Sequence, residues 1–182
     1  ADIHEQEALY AALPIYPFQE KFTKRAAEGL RSNMTSVFDA IALNNPYPAD
    51  FLVEQAWNQM VLKAIFMQRP LYQIIGIEKR LNSSLAKTLV DYVHERWSAN
   101  RNVIPELWRF VSPFVDEEIL GLLEKVMVNG TDLEKYAVGL TCSQSENISA
   151  KSLLDKYPEI KNKIDKGEIS WEGIGKKYEE EN

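Results

Sequence analysis

The sequence predicts an all-α fold: an irregular α-solenoid or orthogonal bundle of about nine to eleven helices. Three observations carry this expectation. Apolar residues recur at the three- and four-residue spacing of helices along almost the whole chain, and no convincing alternating run of a strand appears. Proline-bearing corners, at 14–17, at Asn44-Asn45-Pro46-Tyr47-Pro48, at Pro70 and at Pro113, interrupt that periodicity at short intervals. Cap signals stand where the periodicity restarts, most clearly Thr131 with Glu134. Paired helices with such corners fit an irregular array better than a four-helix bundle, and no repeat period supports a regular HEAT or TPR array.

The elements follow in order. A first helix covers 3–13 and ends at the prolines; a second covers 18–30. A third begins at a Ser32 N-cap and stops at Leu43, where Asn-Asn-Pro-Tyr-Pro cannot continue it. A fourth runs over 48–67 with Pro48 in its first turn and Pro70 as its stop. Short helical pieces at 71–75 and 78–81 flank Gly76. Asn82 or Ser83 then caps the long helix SLAKTLVDYVHERWSAN, and 104–111 is a short helix beside Pro105. Asp116 caps an amphipathic helix with Ile119, Leu122, Leu123 and Val126 at core spacing, closed by Asn129-Gly130. Thr131 and Glu134 form a capping box for 133–142. Weaker segments at 149–157, 159–166 and 171–180 follow. The expected organisation is one helical domain over 1–157 and a Lys/Glu-rich helical extension over 158–182, in which Trp171 needs a surface to dock on.

Bulk numbers narrow the function. A chain of 182 residues, 45% hydrophobic and 26% charged, suits one soluble globular domain with a full core. A net charge of −6 argues against a nucleic-acid partner, which would meet a basic face. No window approaches 18 uninterrupted apolar residues, so direct membrane insertion is not expected. The chain opens Ala-Asp-Ile-His with no initiator methionine or signal-like segment, which reads as a processed or trimmed chain. Cys142 is the lone cysteine and His4 and His94 the only histidines, leaving little for a metal site and favouring a reducing, cytoplasmic setting. All seven arginines lie at or before Arg109, which places the specified polar interior in the first part of the chain.

The densest chemistry lies at 26–70, where polar side chains sit among apolar ones and need partners if buried. Asp39, inside Val-Phe-Asp-Ala-Ile-Ala-Leu, either pairs with an arginine such as Arg31 or Arg96 or serves as a general base or ligand anchor. Asn58 and Lys63 share helical faces with apolar residues; Lys63 either extends its ammonium to the rim or, with a lowered pKa, acts as base or nucleophile. Asp91, His94 and Glu95 project from one helix face, as a solvated or bridging surface, an acid–base site or a metal site. The pattern is not HExxH, because Ser98 stands where a second histidine is needed. Trp57, Trp97 and Trp108 read as packing residues or, with Tyr47, as the wall of an aromatic pocket. Dinucleotide, Walker A and nucleophile-elbow motifs are absent, and no cofactor is expected.

Taken together, AAEGLRSNMTSVFDAIALNNPYPADFL, AWNQMVLKAIF with RPLY, and DYVHERW with PELWR resemble the EboA-domain family over roughly residues 5–125. The matching positions include Arg31, Asn33, Asp39, Asn44, Pro46, Tyr47, Pro48, Trp57, Asn58, Lys63, Arg69, His94, Glu95, Arg96, Trp97, Arg101 and Trp108. The resemblance implies a place in bacterial ebo gene clusters, beside a prenyltransferase-like membrane protein and TIM-barrel metal-dependent hydrolases. Those clusters are associated with natural-product precursors and their movement from cytoplasm to periplasm. The resemblance assigns no reaction. The resulting expectation is a cytoplasmic binding or adaptor protein, with a small-molecule ligand and other cluster proteins as partners. Its ligand-binding residues would be Arg31, Asp39, Asn44, Tyr47, Trp57, Asn58, Lys63, His94, Arg96 and Trp97, in a cleft between the helices at 32–43, 48–67 and 83–101. The alternative is a small-molecule enzyme with His94 or Asp39 as base and Lys63 or Arg96 steadying negative charge.

Overall fold

The structure is a computed structural model and describes residues 2–182. Among these residues eleven α-helices and five 3-10 segments make up the regular structure and no strand occurs, so the protein is all-α. The chain divides into two units, the first ending at Arg80 and the second spanning Leu81–Asn182.

In unit 1, α1 (Ile3–Ala11) starts at Asp2, whose carboxylate accepts the His4 N–H while Glu5 completes a capping box. Two 3-10 turns, Leu13–Ile15 and Gln19–Phe22, lead to α2 (Thr23–Leu30) and α3 (Thr35–Ala42). Both α1 and α2 pack on α3. Gly29 permits that approach, because a Cβ there would stand 2.5 Å from Ile41 Cδ1 and 2.7 Å from Tyr10 Cζ. The predicted helix at 18–30 thus splits: Phe18 adopts a left-handed φ of 57° and the turn after it winds as 3-10. Ser32 is not the N-cap of α3; that place belongs to Met34, whose N–H the Ser32 hydroxyl accepts.

The predicted helix at 48–67 is two helices, α4 (Tyr47–Phe51) and α5 (Glu54–Phe66), parted by the extended backbone of Leu52 and Val53. The break is held from a distance. Arg80 donates to the carbonyls of Ala49 (2.8 Å) and Leu52 (2.7 Å), replacing partners the helix would have supplied. At the far end of α5, Gln68 takes φ 52° while the Arg69 N–H returns to Ala64 O, a Schellman closure that turns the chain back.

Unit 2 contains α6 (Ser83–Ser98), α7 (Glu117–Asn129), α8 (Asp132–Gln144), α9 (Ile148–Asp155), α10 (Pro158–Asp165) and α11 (Trp171–Glu181). Asn82 caps α6, Asp116 caps α7, and Thr131 with Glu134 boxes α8, as their sequence signals predict. The expected helix at 104–111 is a 3-10 segment, Pro105–Phe114, buried on almost all sides. Pro113, inside the segment, removes a donor that an α-ladder would need there. The Thr141 hydroxyl of α8 reaches the Trp108 carbonyl at 2.9 Å and ties the segment down. Trp171 finds its dock inside this unit: it is buried, donates its indole N–H to Gln144 Oε1 (3.1 Å), and carries Arg109 5.9 Å from its ring.

Candidate functional site

A hollow of about 600 Å³ lies in unit 1, between α1, α2 and the two 3-10 turns. Its wall is apolar and aromatic, made by Leu9, Tyr10, Leu13, Tyr16 and Phe22, with Gln6 and Arg25 as its polar points. The sequence builds it from a chain that cannot stay helical. Pro14 and Pro17 end α1's run, Phe18 reverses the backbone, and the Gln19 side-chain amide donates to the Pro14 carbonyl to close the turn. The Tyr16 and Phe22 rings then meet at 5.4 Å. Tyr10 lies over Gly29 and donates its hydroxyl to the Arg25 carbonyl at 3.3 Å.

The Asn44–Pro48 hinge holds this wall from behind. The Asn45 amide, buried to 3% exposure, donates to Tyr10 O (3.2 Å) and Ala40 O (3.0 Å) and accepts the Tyr47 N–H (3.0 Å). Tyr47, 1% exposed, donates its hydroxyl to Gln19 O at 2.6 Å. Burial, with a smaller contribution from Glu20, raises the Tyr47 pKa above the ordinary phenol value, so the hydroxyl stays a donor. One proline-bearing motif therefore grips the end of α1 and the second 3-10 turn together. Arg25 is exposed and makes no ion pair among the described residues. A hollow of this size and lining suits a flat, largely apolar molecule with an anionic group at the guanidinium.

The residues singled out from sequence fall as follows. In unit 1, Arg31 and Lys63 do share a hollow, a small one of about 200 Å³ with Gln59 and Met60. The Lys63 ammonium donates to Leu30 O (2.7 Å) and Ser32 O (2.6 Å) at the end of α2 and sits 5.2 Å from the Phe38 ring. Burial lowers its pKa. Asp39 is paired, but with Arg69 rather than Arg31 or Arg96: Nε to Oδ1 is 2.9 Å and Nη2 to Oδ2 2.6 Å. The Schellman turn after α5 delivers Arg69 to that position. Asn44 is exposed, left-handed at φ 52°, and bonded to Gln73 Oε1 at 3.1 Å. Trp57 is fully buried with the Arg80 guanidinium 5.1 Å from its ring, and Asn58 is half-buried on α5.

In unit 2, His94 Nε2 lies 3.0 Å from Glu118 Oε1 in an exposed pair. Arg96 donates from Nε (3.0 Å) and Nη2 (2.8 Å) to Asn102 O. Trp97 is half-buried, 6.1 Å from Trp108, with the Lys125 ammonium 4.5 Å from its ring. Among the described residues no group of three His, Cys, Asp or Glu is arranged to hold a metal ion.

Sequence reasoning names Tyr47, which positions the large hollow, but none of the residues that line it. The signal it passes over is Leu13-Pro-Ile-Tyr-Pro-Phe18, a proline–aromatic run followed by Phe22 and Arg25. Read for helix punctuation alone, such a run is only a connector.

Comparison with known proteins gives one match: a family model described as metabolite traffic protein EboA fits residues 1–112, more than half of the chain. The matched span covers unit 1, α6 and most of the 3-10 segment after it. No curated protein and no solved structure matches the chain.

Proposed function

We propose a function from one premise: the chain belongs to the EboA family of metabolite traffic proteins. It binds and hands on a small amphipathic metabolite, with a flat apolar body and one anionic group, and works as a carrier or adaptor for the proteins that make or move it. The observation that carries this reading is the aromatic hollow with Arg25 at its edge. The apolar body would stack among Tyr10, Tyr16 and Phe22, while the anion meets the guanidinium. Support also comes from the hinge. Asn45 and Tyr47 spend their polar groups on the wall itself, as expected of residues that keep a binding hollow preformed. Within this proposal the protein acts in the cytoplasm, in a cluster concerned with natural-product precursors. No helix among the described residues is long and apolar enough to cross a membrane.

An acid–base reading draws on a different observation, the lowered pKa of Lys63 beside Arg31 in the smaller hollow. The carrier reading is favoured because Lys63 already donates to two carbonyls and Asp39 is held bidentate by Arg69.

The test uses 8-anilinonaphthalene-1-sulfonate, which has the proposed shape and charge. It should bind with one-to-one stoichiometry, and Arg25→Ala should weaken it about tenfold, or about 1.4 kcal/mol. Leu9→Glu, a change at an exposed wall residue, should abolish it. Dye binding indifferent to both variants refutes the site.

A further inference from the structure

We infer that unit 2 carries a second small-molecule site, for a hydroxylated ligand bearing one phosphate or carboxylate group, in the hollow between the end of α6 and the end of α7. This goes beyond the carrier site of unit 1 and does not depend on it.

The hollow has a volume of about 310 Å³ and a mixed lining: Asn100, Arg101 and Asn102 from the loop after α6, Lys125 and Asn129 from α7, and the apolar surfaces of Trp97 and Val126. The first side is a rigid loop. Asn100 takes φ 53°, its N–H returns to Trp97 O (3.0 Å), and the Arg101 N–H returns to Arg96 O (2.8 Å), a Schellman closure of α6. Arg96 then clamps the loop by its two bonds to Asn102 O. Three consecutive side chains are thereby presented without flexible backbone behind them.

Charge is the second observation. Residues 113–150 hold seven carboxylates against Lys125 and Lys135, yet this hollow gathers Lys125 with Arg101 and only one carboxylate, Glu134. That carboxylate is engaged by the capping box, accepting the Thr131 N–H at 2.8 Å. Positive charge at helix C-termini has an ordinary explanation, since carbonyls there attract cations. Arg96 itself is bonded to Asn102 O, beyond the end of α6. The Arg101 and Lys125 side chains make no hydrogen bond or ion pair among the described residues, and neither do the Asn100 and Asn129 amides. Two cations would take an anion and the amides neighbouring hydroxyls.

Titration calorimetry with glucose 6-phosphate, inorganic phosphate and glucose tests the assignment. Glucose 6-phosphate should bind about tenfold more tightly than either fragment. Arg101→Gln and Lys125→Gln should each weaken it about five- to tenfold. Asn129→Ala should weaken the sugar phosphate but not phosphate alone. Saturable quenching of Trp97 fluorescence should follow the same order. No binding at millimolar concentrations overturns the proposal. Equal affinity for phosphate and the sugar phosphate, or affinity unaffected by Arg101→Gln and Lys125→Gln, does so as well.

Discussion

Two neighbouring asparagines take opposite parts. Asn44 is exposed and supplies a left-handed turn; Asn45 is buried and uses both ends of its amide to join α1, α3 and the start of α4. Residue type cannot separate them, because the difference lies in which way the chain turns between them. Tyr47 is the residue whose role is most open to measurement. Its pKa is raised in the folded state, so folding favours the protonated phenol. That stabilisation is fully present below the ordinary tyrosine value of about 10 and is lost as pH rises through the folded-state value. Tyr47→Phe should cost about 1–2 kcal/mol at neutral pH, since Gln19 O loses its buried donor. It should also flatten the loss of stability above about pH 10 relative to the parent. Denaturation curves at several pH values check this; parallel pH profiles for the two proteins would contradict it.

At the scale of elements, local signals read well and remote ones do not. Helices α6, α7 and α8 begin where Asn82, Asp116 and Thr131 announce them, because each cap is satisfied within three residues of itself. The interruption between α4 and α5 has no such signature. Its carbonyls are satisfied by Arg80, 28 to 31 residues away, which no local pattern reveals. The hollow of unit 1 is hidden for the same reason: its walls are brought together by Gly29 within α2 and by Asn45 and Tyr47 from the hinge behind them. Gly29→Ala probes that assembly. The added methyl collides with Ile41 and Tyr10, and overpacking costs of about 1–3 kcal/mol exceed the roughly 1 kcal/mol alanine gains in helix propensity. The variant should melt earlier and bind the anilinonaphthalene dye more weakly, because Tyr10 is displaced. A higher melting temperature with unchanged dye affinity would show that α1 does not rest on α2 as described.

For the whole molecule, composition and periodicity suffice for the all-α class, and the family's own segments suffice to name it. The chain's division at Arg80 is less legible, since no linker composition marks it. Nor does the Lys/Glu-rich end announce its role. Trp171 and Ile174 of α11 are buried in unit 2, and Ile160 and Ile164 of α10 lie against Gly139 of α8. Trp171→Ala should therefore destabilise unit 2 by about 3–5 kcal/mol in urea titrations. A loss below about 1 kcal/mol would mean that α11 is not part of its core. The account as a whole stands on the proposal that the hollow of unit 1 binds a small molecule. Native mass spectrometry of the protein purified from its own host measures that most directly. A bound mass of a few hundred daltons, roughly what such a hollow holds, should accompany the parent protein and be missing from Arg25→Ala and Leu9→Glu. An empty parent, or a ligand retained equally by both variants, would contradict it.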